Sequence, residues 1–122
     1  MPGRQKFVAV VDDDPSMSKA IHHLLSALDF RVETLDSAEA LLASSAVNEA
    51  DCLVLDVHLG STSGLELRRQ LALSGSTIPV IFMTAYDDEQ TRREAAAAGC
   101  VAYLPKPFQA HVLVEAITKA TG

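Results

Sequence analysis

Five short apolar runs alternating with helix-like segments mark the chain as α/β. The expectation is a single (βα)5 unit folded as a doubly wound, three-layer sandwich around a parallel five-stranded sheet. The runs are Phe7–Val11, Phe30–Thr34, Cys52–Leu55, Val80–Thr84 and Val101–Leu104. Two of them, CLVL and VIFM, are apolar without interruption, as strands covered on both faces require. RVET alternates instead and suits an edge.

The first run ends abruptly in Asp12, Asp13 and Asp14, with Pro15 next. Asp14 is therefore placed to cap a helix whose first turn holds the proline. Met17, Ala20, Ile21, Leu24, Leu25 and Leu28 then fall at helical spacing and form one apolar stripe. After the second run, DSAEALLAS begins a helix with Asp36 or Ser37 as cap and Glu39 in the first turn. GLELRRQLAL follows the third run and stops at the turn signal SGS, with Pro79 opening the fourth. DDEQTRREAAAAG is rich in helix formers, and Gly99 stands just past its end. HVLVEAITKA closes the chain, with Leu113, Val114 and Ile117 available to pack and His111 near its start. No repeat, linker or low-complexity tract interrupts this order, so residues 1–122 are expected to be one domain with its core at about 6–120.

Composition narrows the function classes. The net charge is −6, and no clustered basic face is visible, which argues against direct nucleic-acid binding. The pairs Arg68-Arg69 and Arg92-Arg93 have acids beside them and read as solvated faces. No apolar run approaches the roughly 20 residues of a spanning helix. MPGRQK leads into too short an apolar run for a secretory signal, so a cytoplasmic location without membrane attachment is expected. Cys52 and Cys100 have no CxxC or CxxH partner and read as buried small hydrophobes. His22 and His23 are adjacent on a helix and do not share a face, which suits no metal.

In an open α/β sheet, ligands gather at the carboxyl ends of the strands, beside the point where strand order reverses. Those ends are distinctive here: Asp12-Asp13 after the first strand, Asp56 after the third, Thr84 closing the fourth, Lys106 just past the fifth. Helix capping explains Asp14 but not three further acids and a lysine. Clustered carboxylates become tolerable around a hard divalent cation, and Mg2+ prefers oxygen ligands and phosphate. Lys106 adds a second positive point and Thr84 a hydroxyl, an arrangement suited to phosphoryl transfer by positioning and charge stabilisation. A carboxylate can itself act as nucleophile and form an aspartyl phosphate.

These residues resemble the receiver domain of two-component response regulators, the CheY-like family. VVDDDPSM resembles its acidic-pair segment, LVLDVHLGSTSGLEL its phosphoacceptor strand and loop with Gly64 eight residues past Asp56, and VIFMTAYDD its Thr-Ala strand end. AAAAGCVAYLPKPF resembles the closing segment with its aromatic, Lys-Pro and Phe. The resemblance spans Phe7 to the last helix. It implies a flavodoxin-like sheet order of 2-1-3-4-5, counting only these five strands. It implies that Asp56 accepts a phosphoryl group from a sensor histidine kinase, so that the chain is a phosphoprotein of a phosphorelay and not an enzyme acting on a separate substrate. It further implies Mg2+ held by Asp13, Asp56 and the His58 backbone carbonyl, with Asp12 acting through water. His58's ring is not a ligand in this reading, since imidazole matches Mg2+ poorly. Lys106 would pair with Asp56 and then with the phosphoryl group. Thr84, with Ala85 beside it, and Tyr103 would be the switch: Thr84 moves toward the phosphoryl group and the Tyr103 ring turns inward. Pro107 follows a cis bond in this family, and Gly64 is a structural position.

The implied output is a change in the surface made by the fourth helix, fifth strand and fifth helix of this count. An output domain or downstream protein would read it, or a homodimer formed on phosphorylation. The Ala95–Ala98 run is expected to give that surface low relief. Gly60 departs from the family by standing where proline is frequent, which implies a looser loop after Asp56. His58 and Tyr86 occupy places where the family varies and where dephosphorylation is tuned. Two rivals stand beside this reading. A haloacid-dehalogenase-type phosphatase would carry D-x-D, but the chain has Asp56-Val57-His58 and no cap insertion. An unphosphorylated pseudo-receiver interaction module usually lacks the acidic pair or the lysine, and all are present here.

Overall fold

The computed structural model describes residues 5–60 and 62–122. The MPGR start, weighed above as a leader, lies outside them. Strands β1 (Phe7–Val11), β2 (Arg31–Leu35), β3 (Cys52–Asp56), β6 (Val80–Thr84) and β7 (Ala102–Pro105) form one parallel sheet. Its order, β2-β1-β3-β6-β7, is the 2-1-3-4-5 topology expected once only these five strands are counted. A separate antiparallel pair, β4 (His58–Leu59) and β5 (Thr62–Ser63), forms a small hairpin after β3. The helices are α1 (Pro15–Ala27), α2 (Ala38–Ala43), α3 (Ala46–Glu49), α4 (Gly64–Leu73), α5 (Glu89–Ala98) and α6 (Ala110–Thr121).

Strand alternation divides the interior into two apolar layers. Phe7, Ala9 and Val11 of β1, with Leu53, Leu55 and Phe82, face α2 to α5. Val8, Val10, Val54, Ile81 and Met83 face α1 and α6 through Ile21, Leu25, Leu113 and Ile117. The three central strands are buried along their whole length, as the unbroken apolar runs required. β2 is a half-exposed edge, in line with its alternation.

The caps follow local chemistry. Asp14 accepts from Ser16 N–H at the start of α1, and Pro15 fills the first helical position, where a missing N–H costs nothing. Ser37, not Asp36, caps α2 by accepting from Ala40 N–H. Asp88 caps α5 through Thr91 N–H, and Gly99 ends it at φ 86, a left-handed backbone that glycine takes without strain.

Several expectations need correction. The runs placed at Phe30–Thr34 and Val101–Leu104 each begin one residue later as strands, because Phe30 N–H bonds back to Leu25 O in the turn and Val101 is exposed. The hairpin β4–β5 and the short α3 were not foreseen; both are too short to carry a periodic signal. The stripe on α1 narrows to Ile21 and Leu25, half-covered by Met17 and Leu24, whereas Ala20 and Leu28 face solvent. Ser18 is buried in their stead, its hydroxyl donating to Asp12 O. Within the alanine run only Ala96 and Ala97 are exposed, because Ala95 packs into the core. Arg68 does not lie on a solvated face: it is half-buried, and its Nε donates to Gly99 O at 3.1 Å across the α4–α5 contact. Cys52 is buried and Cys100 half-buried, both as free thiols. Burial, with the Asp51 charge, pushes the Cys52 thiol up to about 12, which leaves it unreactive.

Candidate functional site

The sheet register brings the distinctive residues to one rim. Val11 pairs with both Leu35 and Leu55, so Asp12 and Asp56 emerge side by side where strand order reverses between β1 and β3. Asp56 pairs with Met83, and Thr84 with Pro105, which carries Thr84 and Lys106 to the same edge. One oxygen each of Asp12, Asp13 and Asp56 falls within 4.8 Å of the others, the one such group of metal-capable side chains among the described residues. Lys106 Nζ reaches Asp12 Oδ2 and Asp56 Oδ2, each at 2.9 Å. An open cleft of about 630 Å³ lies above, lined by these groups and by His58, Gly60, Ala85 and Tyr86. The Lys106–Pro107 bond is cis, as the resemblance implied.

Each carboxylate is held differently. Asp12 is buried to the side-chain tip, and its Oδ1 accepts from Asp14 N–H. Asp56 Oδ1 accepts from His58 N–H at 2.9 Å. Asp13 is exposed. Burial raises the Asp56 carboxyl above its ordinary pKa, and the Asp12 charge adds to this against the lowering by His58 N–H and Lys106. Burial also works against the Lys106 charge, but the hydrogen bonds it donates to Asp12 and Asp56 outweigh it and raise the ammonium pKa. The cluster thus holds two buried acids against one lysine, a net negative site.

A consequence is measurable without any ligand. Because Asp56 holds its proton more tightly folded than unfolded, stability falls as pH climbs from the ordinary carboxylate value through the raised one. In chelator at neutral pH, Asp56→Asn is expected to show a higher urea midpoint than the native protein. The gain should vanish as pH drops below the ordinary carboxylate range; a lower midpoint for the variant would contradict the assignment.

The switch candidates lie farther along the same rim. Thr84 is buried, and its Oγ1 accepts from Tyr86 N–H at 3.0 Å. Tyr103, half-exposed on β7, donates its hydroxyl to Asp87 Oδ1 at 3.1 Å. His58 and Tyr86 meet edge-on over the cleft, ring centroids 4.8 Å apart. Gly60 takes φ 68 at the hairpin tip, with open space where a Cβ would stand. Gly64 is the opposite case: a Cβ there would lie 2.2 Å from Asp56 O, so α4 can start beneath the acid only with glycine at this place. His22 and His23 are exposed and His111 is exposed on α6; none belongs to a metal-capable group among the described residues. Sequence reasoning did not find Asp12 as the second partner of Lys106, the His58–Tyr86 contact, or the Asp87–Tyr103 bond. TAYDD does carry both aspartates, but spacing cannot say which one caps a helix and which one faces a tyrosine.

Comparison with known proteins agrees with this geometry. The response regulator receiver domain family matches residues 8–118. The transcriptional regulatory protein TdiR of Thauera aromatica is 34% identical over 118 residues, covering 97% of this chain and 52% of that protein. The response regulator StyR, in a low-resolution structure, superposes with a TM-score of 0.88 at 38% identity, over 96% of this chain and 59% of that one. The BeF3-activated DrrB receiver domain superposes at 0.84 with 30% identity, over 95% and 97% of the two chains. The chain spans about half the length of the curated relatives it matches. With a parallel sheet in this order and an acidic rim facing a lysine, the chain belongs to the response regulator receiver domain family of two-component regulatory systems.

Proposed function

We propose that Asp56 accepts a phosphoryl group from the phosphohistidine of a sensor histidine kinase, in a Mg2+-dependent reaction, and that the modified rim resets the α5–β7–α6 surface. The observation that carries this reading is the Lys106 ammonium bridging Asp12 and Asp56 beside the third carboxylate of the cluster. The donor set fits Mg2+: all three side chains offer hard oxygens, and the His58 carbonyl would supply a fourth. Asp13 and Asp56 would hold the ion directly and Asp12 through water. Bound there, Mg2+ neutralises carboxylate charge and lets a phosphoryl group approach.

In the transfer, an Asp56 oxygen attacks phosphorus, the O–P bond forms, the P–N bond to the donor breaks, and the imidazole leaves. Lys106 is placed to follow the charge from carboxylate to phosphoryl oxygen. Thr84 exchanges its bond from Tyr86 N–H for one to the phosphoryl group, with Ala85 giving the backbone room, and Tyr103 turns inward. The receiver unit is read as residues 1–122 with its core at about 6–120, working in the cytoplasm as a signalling domain and not as an enzyme. An output domain or downstream protein reads the result, and a homodimer formed on phosphorylation is a second route. The greater length of its relatives supports an output domain. Among the described residues, no helix is long and apolar enough to cross a membrane.

The test is intact mass after incubation with acetyl phosphate and Mg2+. A species about 80 Da heavier is expected, absent when a chelator is present. An unchanged mass with Mg2+ uptake intact would mean a pseudo-receiver, and steady turnover of p-nitrophenyl phosphate would mean a phosphatase. Mg2+ alone is expected to raise the melting temperature, by the equivalent of about 2.7 kcal/mol at a hundredfold excess over Kd. Asp13→Asn should shrink that gain; an equal gain in the variant would remove Asp13 from the ligand set.

A further inference from the structure

Tyr103 is not simply directed outward; its hydroxyl is held. It donates to Asp87 Oδ1 at 3.1 Å, and Arg92 grips the same carboxylate with two nearly parallel bonds, Nε to Oδ1 at 2.8 Å and Nη2 to Oδ2 at 3.1 Å. A planar guanidinium fits a carboxylate in this way and fixes its orientation. The Arg92 guanidinium, and the Tyr103 hydroxyl after it, hold the Asp87 carboxyl below the usual range, so it is ionised at neutral pH. Burial first, then the bond to Asp87, pushes the Tyr103 phenol up to about 12.

The position of Asp87 gives this contact its meaning. The same short loop receives both switch side chains: Tyr86 N–H donates to Thr84 Oγ1, and one residue later Asp87 accepts from Tyr103. Asp88 then anchors the loop to α5 through Thr91 N–H at 2.7 Å. If the Thr84 hydroxyl turns to a phosphoryl oxygen, Tyr86 N–H loses its acceptor and the backbone beside Asp87 is released. An inward turn of Tyr103 must break its bond to Asp87.

We propose that Asp87, clamped by Arg92, is a positioning residue for Tyr103, holding its hydroxyl outward and thereby setting the balance between the resting and phosphorylated conformations. The inference rests on the reading of Thr84 and Tyr103 as the switch pair. The carboxylate is exposed, so the bias is modest, about two- to fivefold in the conformational equilibrium.

The chain has two tyrosines, Tyr86 and Tyr103, so 3-fluorotyrosine labelling gives two fluorine resonances, assigned with Tyr103→Phe. Beryllofluoride with saturating Mg2+ serves as the phosphoryl probe. Asp87→Ala is expected to bind it about two- to fivefold more tightly, and to move the Tyr103 resonance of the free protein toward its beryllofluoride-bound position. In a Tyr103→Phe background the same substitution should change affinity no further, which separates positioning from a merely structural effect on the loop. Unchanged affinity and resonance in Asp87→Ala overturn the proposal, as does an equal gain in the Tyr103→Phe background. A native protein that does not respond to beryllofluoride at all defeats the phosphorylation reading and this inference with it. A native response with an unaltered variant defeats the inference alone.

Discussion

Asp56→Asn is expected to take up no phosphoryl group from acetyl phosphate, even with saturating Mg2+, a complete loss in the intact-mass measurement. An amide oxygen is a far weaker nucleophile than a carboxylate, and neither neighbour can replace it. Asp12 is buried to its tip, with Oδ1 bonded by Asp14 N–H and Oδ2 by Lys106, so a phosphate donor has no line of approach. Asp13 is exposed and within reach of a donor, but among the described residues Lys106 pairs with Asp12 and Asp56 and not with Asp13. Of the two acids that Lys106 contacts, Asp56 is the one whose side chain keeps some exposure, 9% against 0% for Asp12. The variant should remain folded, since removing a charge from a site with an excess of acids relieves repulsion. A heavier species persisting in Asp56→Asn would move the acceptor to another carboxylate, and digestion with mass mapping would locate it.

The second large effect is on stability. Gly64→Ala is expected to lower stability by about 2–4 kcal/mol, read as a drop in the urea midpoint at unchanged slope. The added methyl would lie 2.2 Å from Asp56 O and 3.0 Å from its carbonyl carbon, both backbone atoms of a fully buried strand. Such atoms cannot rotate away as a long side chain can. Either α4 shifts at its first turn, breaking the 2.8 Å bond from Gly64 N–H to Val57 O, or the end of β3 is displaced. Both movements reach Asp56, so Mg2+ affinity should fall along with stability. Gly60→Ala is the control: open space surrounds the missing Cβ, and its cost is limited to the left-handed backbone, about 1 kcal/mol. Equal losses at the two glycines would show that close approach to Asp56 is not what Gly64 provides.

Much of this site was legible in the chain itself because strands end where apolar runs end. The acids after FVAVV and CLVL, the threonine closing VIFMT and the lysine after AYLP each stand at the end of a strand, and parallel alignment sends all of those ends to one rim. Gly64 was legible only through family resemblance; its physical role, a Cβ meeting a carbonyl from another element, depends on a distance between chain segments. Arg68 was misread for the same reason. Its neighbours in sequence are charged and suggest solvent, but its Nε donates to the carbonyl of Gly99, 31 residues away.

Hydrophobic periodicity and strand-end chemistry therefore determined the layers, the strand directions and the acidic rim, because these follow from which residues avoid water and from short-range spacing. Which oxygen of each carboxylate Lys106 holds, and which aspartate of the DD pair faces Tyr103, were decided only when β1, β3, β6 and β7 came into register. Hydrogen bonds act over about 3 Å and depend on angle. A linear pattern brings such groups to the same neighbourhood, and packing alone chooses the partners.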